Sequence, residues 1–319
     1  MTPQPPDPML PICVAALYRF ARLGNLAERR AALQQLTRQH GVRGTILLAP
    51  EGINGTIAGP REGIEQVLDH LRTLPDCADL EVKFARAAAL PFHRMKVRIK
   101  REIVTMGVPD LDPRSAAGTY VDPADWNALI ADPGTVVIDT RNDYEVAIGS
   151  FAGAIDPQTA AFSDFPAWFA RHRAALLGGD NPPKVAMFCT GGIRCEKATA
   201  LLRQAGVANV HHLKGGILRY LETVPASESL WRGECFVFDQ RVAVGHALAP
   251  GNHKLCFACR RPVGPGDAQS PLYEEGVSCL ACHAERCETQ RASARERHRQ
   301  ELLAAAHGRA HVGAVLEPL

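Results

Sequence analysis

The sequence predicts an α/β protein of more than one domain, and three patterns carry that expectation. From Thr135 to Leu221, short apolar runs alternate with helix-forming stretches, the order of a parallel sheet with helical crossovers. Ahead of them, Ile12 to Met106 reads strand, helix, strand, strand, helix, strand. Behind them lie two CxxC pairs, Cys256/Cys259 and Cys279/Cys282, in a stretch with little regular periodicity. At 319 residues the chain exceeds one ordinary small domain, and 46% hydrophobic with 22% charged residues provides ample core.

Taken in order, residues 1–11, MTPQPPDPMLP, form a proline-rich, disordered lead-in without the basic and apolar segments of a signal peptide. Residues 12–108 form the first domain. Ile12 to Phe20 is a strand, Leu26 to His40 an amphipathic helix closed by Gly41, and Gly44 to Ala49 a second strand. The turn falls at Pro50 to Gly52, which puts Asn54-Gly55 inside or beside the returning strand. Pro60 to Leu74 repeats Ile64, Val67, Leu68 and Leu71, the spacing of a helix with one buried face. Leu80 to Arg86 and Met95 to Met106 supply the last strands, and the order matches a ferredoxin-like α+β domain. Residues 109–124, rich in proline, read as a linker. Residues 118–225 form the parallel α/β domain, 226–290 the cysteine-rich region, and 291–319 a charged helix or tail.

A net charge of +2 names no partner, so any nucleic-acid surface must be local. Within HRMKVRIKR, Arg94, Lys96, Arg98 and Lys100 alternate with Met95, Val97 and Ile99. In a strand the four cations share one face, as a solvated sheet face or as a stripe for phosphates. No apolar run is long enough to span a membrane. The ten cysteines come without a secretory signal, which fits a reducing cytoplasm with thiols free or on metal.

The chemistry concentrates in KVAMFCTGGIRCEKA, Lys184 to Ala198. A buried strand, Val185 to Phe188, leads directly to Cys189. The loop Thr190, Gly191, Gly192, Ile193 then reaches Arg194 at the start of a helix. Two glycines let successive amides turn toward the sulfur, and a helix N-terminus with Arg194 adds positive charge. Such surroundings lower a thiol pKa from about 8.5 by one to several units. The pattern is that of a nucleophile in an anion cradle. Cys195, in the first helical turn, is a resolving thiol, a second reactive group or a small packed residue. The two CxxC pairs, about twenty residues apart, suit a closed tetrahedral Zn2+ site of structural type, with Cys287 and His283 as nearby substitutes and disulfide or redox pairs as the alternative.

VVIDTRNDYEVAIGSFAGAI, the cysteine loop and LKGGI together resemble the rhodanese domain. The resemblance implies a persulfide on Cys189, a basic loop-ending residue in Arg194, and structural roles for Asp139, Arg141 and Glu145. Four residues separate Cys189 from Arg194, as in sulfur-handling rhodaneses, whereas the related phosphatases have one more. The chain as a whole carries PEGINGT (Pro50 to Thr56), HRMKV (His93 to Val97), CTGGIRCEKA (Cys189 to Ala198), GECFVFD (Gly233 to Asp239) and the two CxxC pairs. With these it resembles the rhodanese-containing tRNA uridine hydroxylases, which make 5-hydroxyuridine at the wobble position.

That resemblance implies tRNA as substrate, oxygen as co-substrate and an oxidoreductase dependent on Cys189. It leaves the redox cofactor and the electron or sulfur donor unidentified. No GxGxxG run and no pair of histidines with a carboxylate for iron stands out. The other expectations are a persulfide sulfurtransferase and a non-catalytic RNA-binding scaffold. The intact Cys189 argues against the scaffold.

Overall fold

The computed structural model describes residues 11–179, 181–239 and 241–308. Most of the proposed lead-in and the end of the charged tail lie outside them. The first domain contains β1 (Ile12–Phe20), α1 (Leu26–Gln39), β2 (Arg43–Ala49), β3 (Gly52–Gly59), α2 (Arg61–Arg72), β4 (Glu81–Ala87) and β5 (Met95–Ile99). The strand order is β4-β1-β3-β2-β5, with β5 parallel to β2 at one edge. Helix α2 buries Ile64, Val67, Leu68 and Leu71 against this sheet, as their spacing requires. The hairpin between β2 and β3 turns at Pro50 and Glu51, and Asn54-Gly55 sits within β3. There the Asn54 amide donates to the carbonyl of Ile103 at 2.9 Å.

The expected strand Met95 to Met106 stops at Ile99. Beyond it the Glu102 carboxylate accepts the amides of Met106 at 2.9 Å and Gly107 at 3.1 Å, which folds the chain into a turn. The expected linker is also partly ordered. Helix α3 (Pro113–Ala116) is capped by Asp112, and β6 (Thr119–Val121) joins the next sheet. A strand of three residues carries too little periodicity to be seen in sequence.

The second domain continues with α4 (Pro123–Ala131), β7 (Thr135–Asp139), α5 (Asp143–Val146), β8 (Gly149–Phe151), α6 (Phe165–Leu177), β9 (Lys184–Phe188), α7 (Ile193–Gln204), β10 (Val210–Leu213) and α8 (Gly216–Thr223). Its four-stranded sheet, β6-β10-β9-β7, is parallel throughout. Strand β8 leaves that sheet to pair antiparallel with β11 (Trp231–Gly233). Phe151 then meets Phe188, Tyr220 and Trp231 edge-on, with ring centroids 4.9, 4.7 and 5.2 Å away. The chain ends in short strands β12 (Cys235–Phe236), β13 (Ala243–Val244), β14 (Lys254–Leu255) and β15 (Pro262–Val263), then α9 (Glu288–Ala306). Among its described side chains α9 buries only Ala294, in keeping with a charged helix that lacks an apolar stripe.

The two α/β units meet along α7. Lys197 of α7 is buried, and its ammonium lies 2.8 Å from Glu51 and 2.6 Å from Glu102 of the first domain. It also donates to the carbonyl of Val104 at 3.0 Å. One residue earlier, Glu196 accepts a hydrogen bond from Tyr18 of β1 at 2.8 Å. The helix that follows Cys189 is therefore seated on the neighbouring domain by two consecutive side chains.

Candidate active site

Strand β9 delivers Cys189 to the C-terminal edge of the parallel sheet, where open α/β folds carry their sites. Cys189 is fully buried. Its Sγ accepts the amide of Gly192 at 3.1 Å, and α7 begins at the next residue. The loop is laced to α8 from the other side. The carbonyls of Cys189 and Thr190 accept the amides of Ile217 at 3.0 Å and Leu218 at 3.1 Å. Gly216 makes this possible: at φ +65°, a Cβ there would stand 2.5 Å from the Cys189 carbonyl oxygen.

Arg194 does not point its hydrogen bonds at the sulfur. It grips Glu145 in a two-pronged pair at 2.7 and 2.8 Å and reaches Thr190 Oγ1 at 3.3 Å. Glu145 also accepts from Thr190 at 3.2 Å, so Arg194, Glu145 and Thr190 form one closed group. Beneath it, Arg141 binds Asp139 at 2.6 and 2.9 Å and donates to the Glu145 and Gly149 carbonyls. All four of the charged side chains are buried. Breaking one member of such a pair leaves an uncompensated charge, so these residues brace the edge that carries the loop.

The electrostatics at the sulfur oppose one another. Burial pushes the Cys189 thiol up, but the S–H of Cys195, the Arg194 charge and the amides of Cys195 and Gly192 together hold it well below the ordinary thiol value. Cys195 moves the other way, raised first by burial and then by the neighbouring Cys189. The two shifts run in opposite directions, Cys189 toward thiolate and Cys195 toward thiol, and Thr140 Oγ1 lies 3.5 Å from the Cys195 sulfur. Burial also raises the Glu196 carboxyl to about 7, with Glu81 and Cys189 adding repulsion and the hydroxyls of Tyr18 and Tyr120 acting against it.

Cys189 opens on a cavity of about 500 Å3 between the two domains. Tyr18, Asn54 and Phe84 line it from the first sheet, and Phe238 and Asp239 line it from the segment after β12. Thr190, Gly191, Ile193 and Arg194 of the loop also face this space. The volume is that of a small-molecule site, about 300–1,000 Å3.

The basic stripe lies elsewhere. Arg94, Arg98 and Lys100 are exposed and Lys96 half-buried, on or beside β5. Strand β5 forms the edge of the first sheet opposite β4, four strand spacings or about 19 Å away. Desolvation holds the Lys96 ammonium below the usual lysine value, and Arg94, Arg98 and Arg260 repel it further. Arg260, from the cysteine-rich region, therefore extends the stripe. In that region the ligand atoms of Cys256, Cys259, Cys279 and Cys282 all lie within 4.8 Å of one another. Their S···S distances include 3.6 Å for Cys259/Cys279 and 3.8 Å for Cys256/Cys282. Four thiolates around one tetrahedral ion at about 2.3 Å would stand about 3.8 Å apart, so the group can hold a metal. His283 and Cys287 stand outside the cluster.

A family model described as "UPF0176 acylphosphatase like domain" matches residues 12–103, and one described as "Rhodanese-like domain" matches residues 122–223. A protein named tRNA uridine(34) hydroxylase from Caulobacter vibrioides is 62% identical over 306 residues, which cover 95% of this chain and 97% of its own. The chain belongs to the tRNA uridine(34) hydroxylase family. Members from Gluconobacter oxydans and Mesorhizobium japonicum are 59% and 58% identical, covering 96% and 98% of the chain and 98% and 100% of their own length. The cavity beside Cys189 thus lies between the two parts that the family models match.

Sequence patterns pointed to the cysteine loop and the four cysteines, and the structure gathers both sets. They did not single out Tyr18, Asn54, Lys83 or Glu196 as site residues. Asn54 and Glu196 stand inside PEGINGT and CTGGIRCEKA, so the motifs held that signal. Tyr18 and Lys83 are polar residues within ordinary-looking strands, and only the packing of the domains brings them to the loop.

The Glu196 carboxyl has a testable consequence. Its folded pKa lies above the ordinary 4.5, so the folded state holds the proton more tightly than the unfolded chain does. The stability this gives is complete below pH 4.5 and is lost as pH rises toward 7. Glu196→Gln keeps an acceptor for Tyr18 and removes the titration. Its urea-unfolding stability relative to the parent should rise by up to about 3 kcal/mol across that window, at about 1.36 kcal/mol per pKa unit. Parallel stability curves for the two proteins would contradict the assignment.

Proposed function

We propose that this chain hydroxylates the wobble uridine of tRNA to 5-hydroxyuridine, with Cys189 as the nucleophile, carried as thiolate or persulfide. The observation that carries the proposal is full-length membership in the tRNA uridine(34) hydroxylases, combined with a buried thiolate facing a cavity between the domains. In the net reaction the hydrogen on C5 of the base is replaced by hydroxyl. With oxygen as co-substrate, one oxygen atom enters the base and the other leaves as water, and a donor supplies two electrons and two protons. A wobble base turned out of its stack enters the cavity, where Tyr18 and Phe84 offer aromatic surface.

The remaining features fit a macromolecular substrate. Arg94, Lys96, Arg98 and Lys100 contact tRNA phosphates at the far edge of the first sheet, which leaves the cavity to the base. The four cysteines hold a structural Zn2+, since four protein ligands leave no open position for chemistry. Among the described residues no helix is long and apolar enough to cross a membrane. We place the enzyme in the cytoplasm, where tRNA and reduced thiols occur together.

Expression in a strain devoid of 5-hydroxyuridine, followed by mass spectrometry of digested tRNA, tests the activity. The parent chain should restore 5-hydroxyuridine or its derivatives, and Cys189→Ser should restore none. Thiolated uridine in its place would identify a sulfurtransferase, and full activity of Cys189→Ser would reduce the thiol to packing. Replacing Arg98 and Lys100 together by Ala should weaken tRNA binding and reduce the slope of log K against log salt by about 1–2. An unchanged slope would remove the stripe from the interface. Metal analysis of the purified chain should find one zinc per molecule, lost in Cys279→Ser, and a metal-free parent protein would contradict the site.

A further inference from the structure

Lys83 enters the cysteine loop from the other domain. It sits in the middle of β4, and its ammonium crosses to α8 and the loop, donating to the carbonyl of Gly191 at 2.7 Å and to the carbonyl of Gly215. The Gly191 carbonyl belongs to the same peptide group as the Gly192 amide, and that amide donates to Cys189 Sγ at 3.1 Å. One planar peptide therefore links the ammonium to the sulfur. We propose that Lys83 is a positioning residue for Cys189, acting through the Gly191–Gly192 peptide group.

Two physical effects follow. A cation on the carbonyl polarises the peptide and strengthens its N–H as a donor, as hydrogen bonds in a chain reinforce one another. The contact also fixes which way the peptide faces. Gly192 has φ +103°, a conformation that lets a glycine pair rotate its peptide plane at little cost. A half-turn of that plane would aim the carbonyl, instead of the amide, at the thiolate. Lys83 holds the carbonyl outward. By binding the Gly215 carbonyl as well, it ties the loop to the N-terminus of α8, whose amides hold the Cys189 and Thr190 carbonyls. The first domain thereby sets the state of a thiol that belongs to the second.

Lys83 has the surroundings for this role. Desolvation lowers its pKa, with Arg219 acting in the same direction and Glu81, Cys189 and Glu222 opposing. The groups that face Cys189 are Arg194 and Cys195 of α7 together with Tyr18, Glu196 and Lys83. Arg194 is committed to Glu145, and Lys83 is the cation whose hydrogen bonds go to the loop backbone.

The inference rests on Cys189 being the reactive thiolate, and the test separates the two. Iodoacetamide alkylation of Cys189, followed over pH by peptide mass spectrometry, is compared among the parent, Lys83→Met, Lys83→Gln and Lys83→Arg. The parent should alkylate with a midpoint below the ordinary thiol value of about 8.5. Lys83→Met should move the midpoint up by about one pH unit or more. Lys83→Gln, which keeps a neutral donor for the Gly191 carbonyl, should fall between, and Lys83→Arg should stay near the parent. A lysine that only fastened the domains would lower unfolding stability without moving the midpoint. Should Lys83→Met fail to fold, equal midpoints for the Gln and Arg variants would overturn the inference. A parent midpoint at the ordinary thiol value would overturn the reading of Cys189 itself.

Discussion

A thiolate removed from water is unstable unless the protein supplies what water would have supplied, and this requirement organises the structure around Cys189. The residue is wholly buried, so burial alone would keep it protonated. Its charge is offset by a neighbouring thiol, an amide from a glycine loop, the start of α7 and the charge of Arg194. Each of these has to be held in place, and the holding extends outward. Glu145 fixes Arg194, the Asp139–Arg141 pair braces the sheet edge beneath, and α8 takes the loop carbonyls.

The same requirement explains why the site needs two domains. Helix α7 carries Glu196 and Lys197 directly after Cys195, and both reach across to the first sheet. Glu51 of PEGINGT and Glu102 meet Lys197 from the other side, and Asn54 of the same motif holds the carbonyl of Ile103, next to Glu102. Motifs far apart in sequence are therefore two halves of one junction, and the cavity lies along it. A rhodanese sheet alone presents an activated cysteine. Seated on the first domain, that cysteine faces a cavity lined by Tyr18 and Phe84, with a basic stripe along the β5 edge of the same first sheet.

Much of this was legible in the sequence, for identifiable reasons. The α2 face showed in the spacing of Ile64, Val67, Leu68 and Leu71, because a helix with one buried side must repeat that way. The cysteine loop showed in its glycines and in the strand and helix on either side, and the four-cysteine cluster in its CxxC spacing. What stayed hidden was of two kinds. Short or irregular segments carry no period of their own: β6 depends on a distant strand, and the turn at Glu102 on a side chain that caps nearby amides. Residues that act across the junction, Tyr18 and Lys83 above all, look like ordinary strand positions until the domains meet. Also unseen in the sequence was where the hydrogen bonds of Arg194 go, to Glu145 and Thr190, while its charge acts on the sulfur.

The rest depends on Cys189 resting as a thiolate although it is buried. The most direct test is the ultraviolet absorbance of the thiolate, titrated in the parent and in Cys189→Ser and taken as a difference, so that the other cysteines cancel. A full thiolate signal is expected at neutral pH, disappearing only on acidification. A difference signal that appears only near the ordinary thiol value of about 8.5 would contradict it.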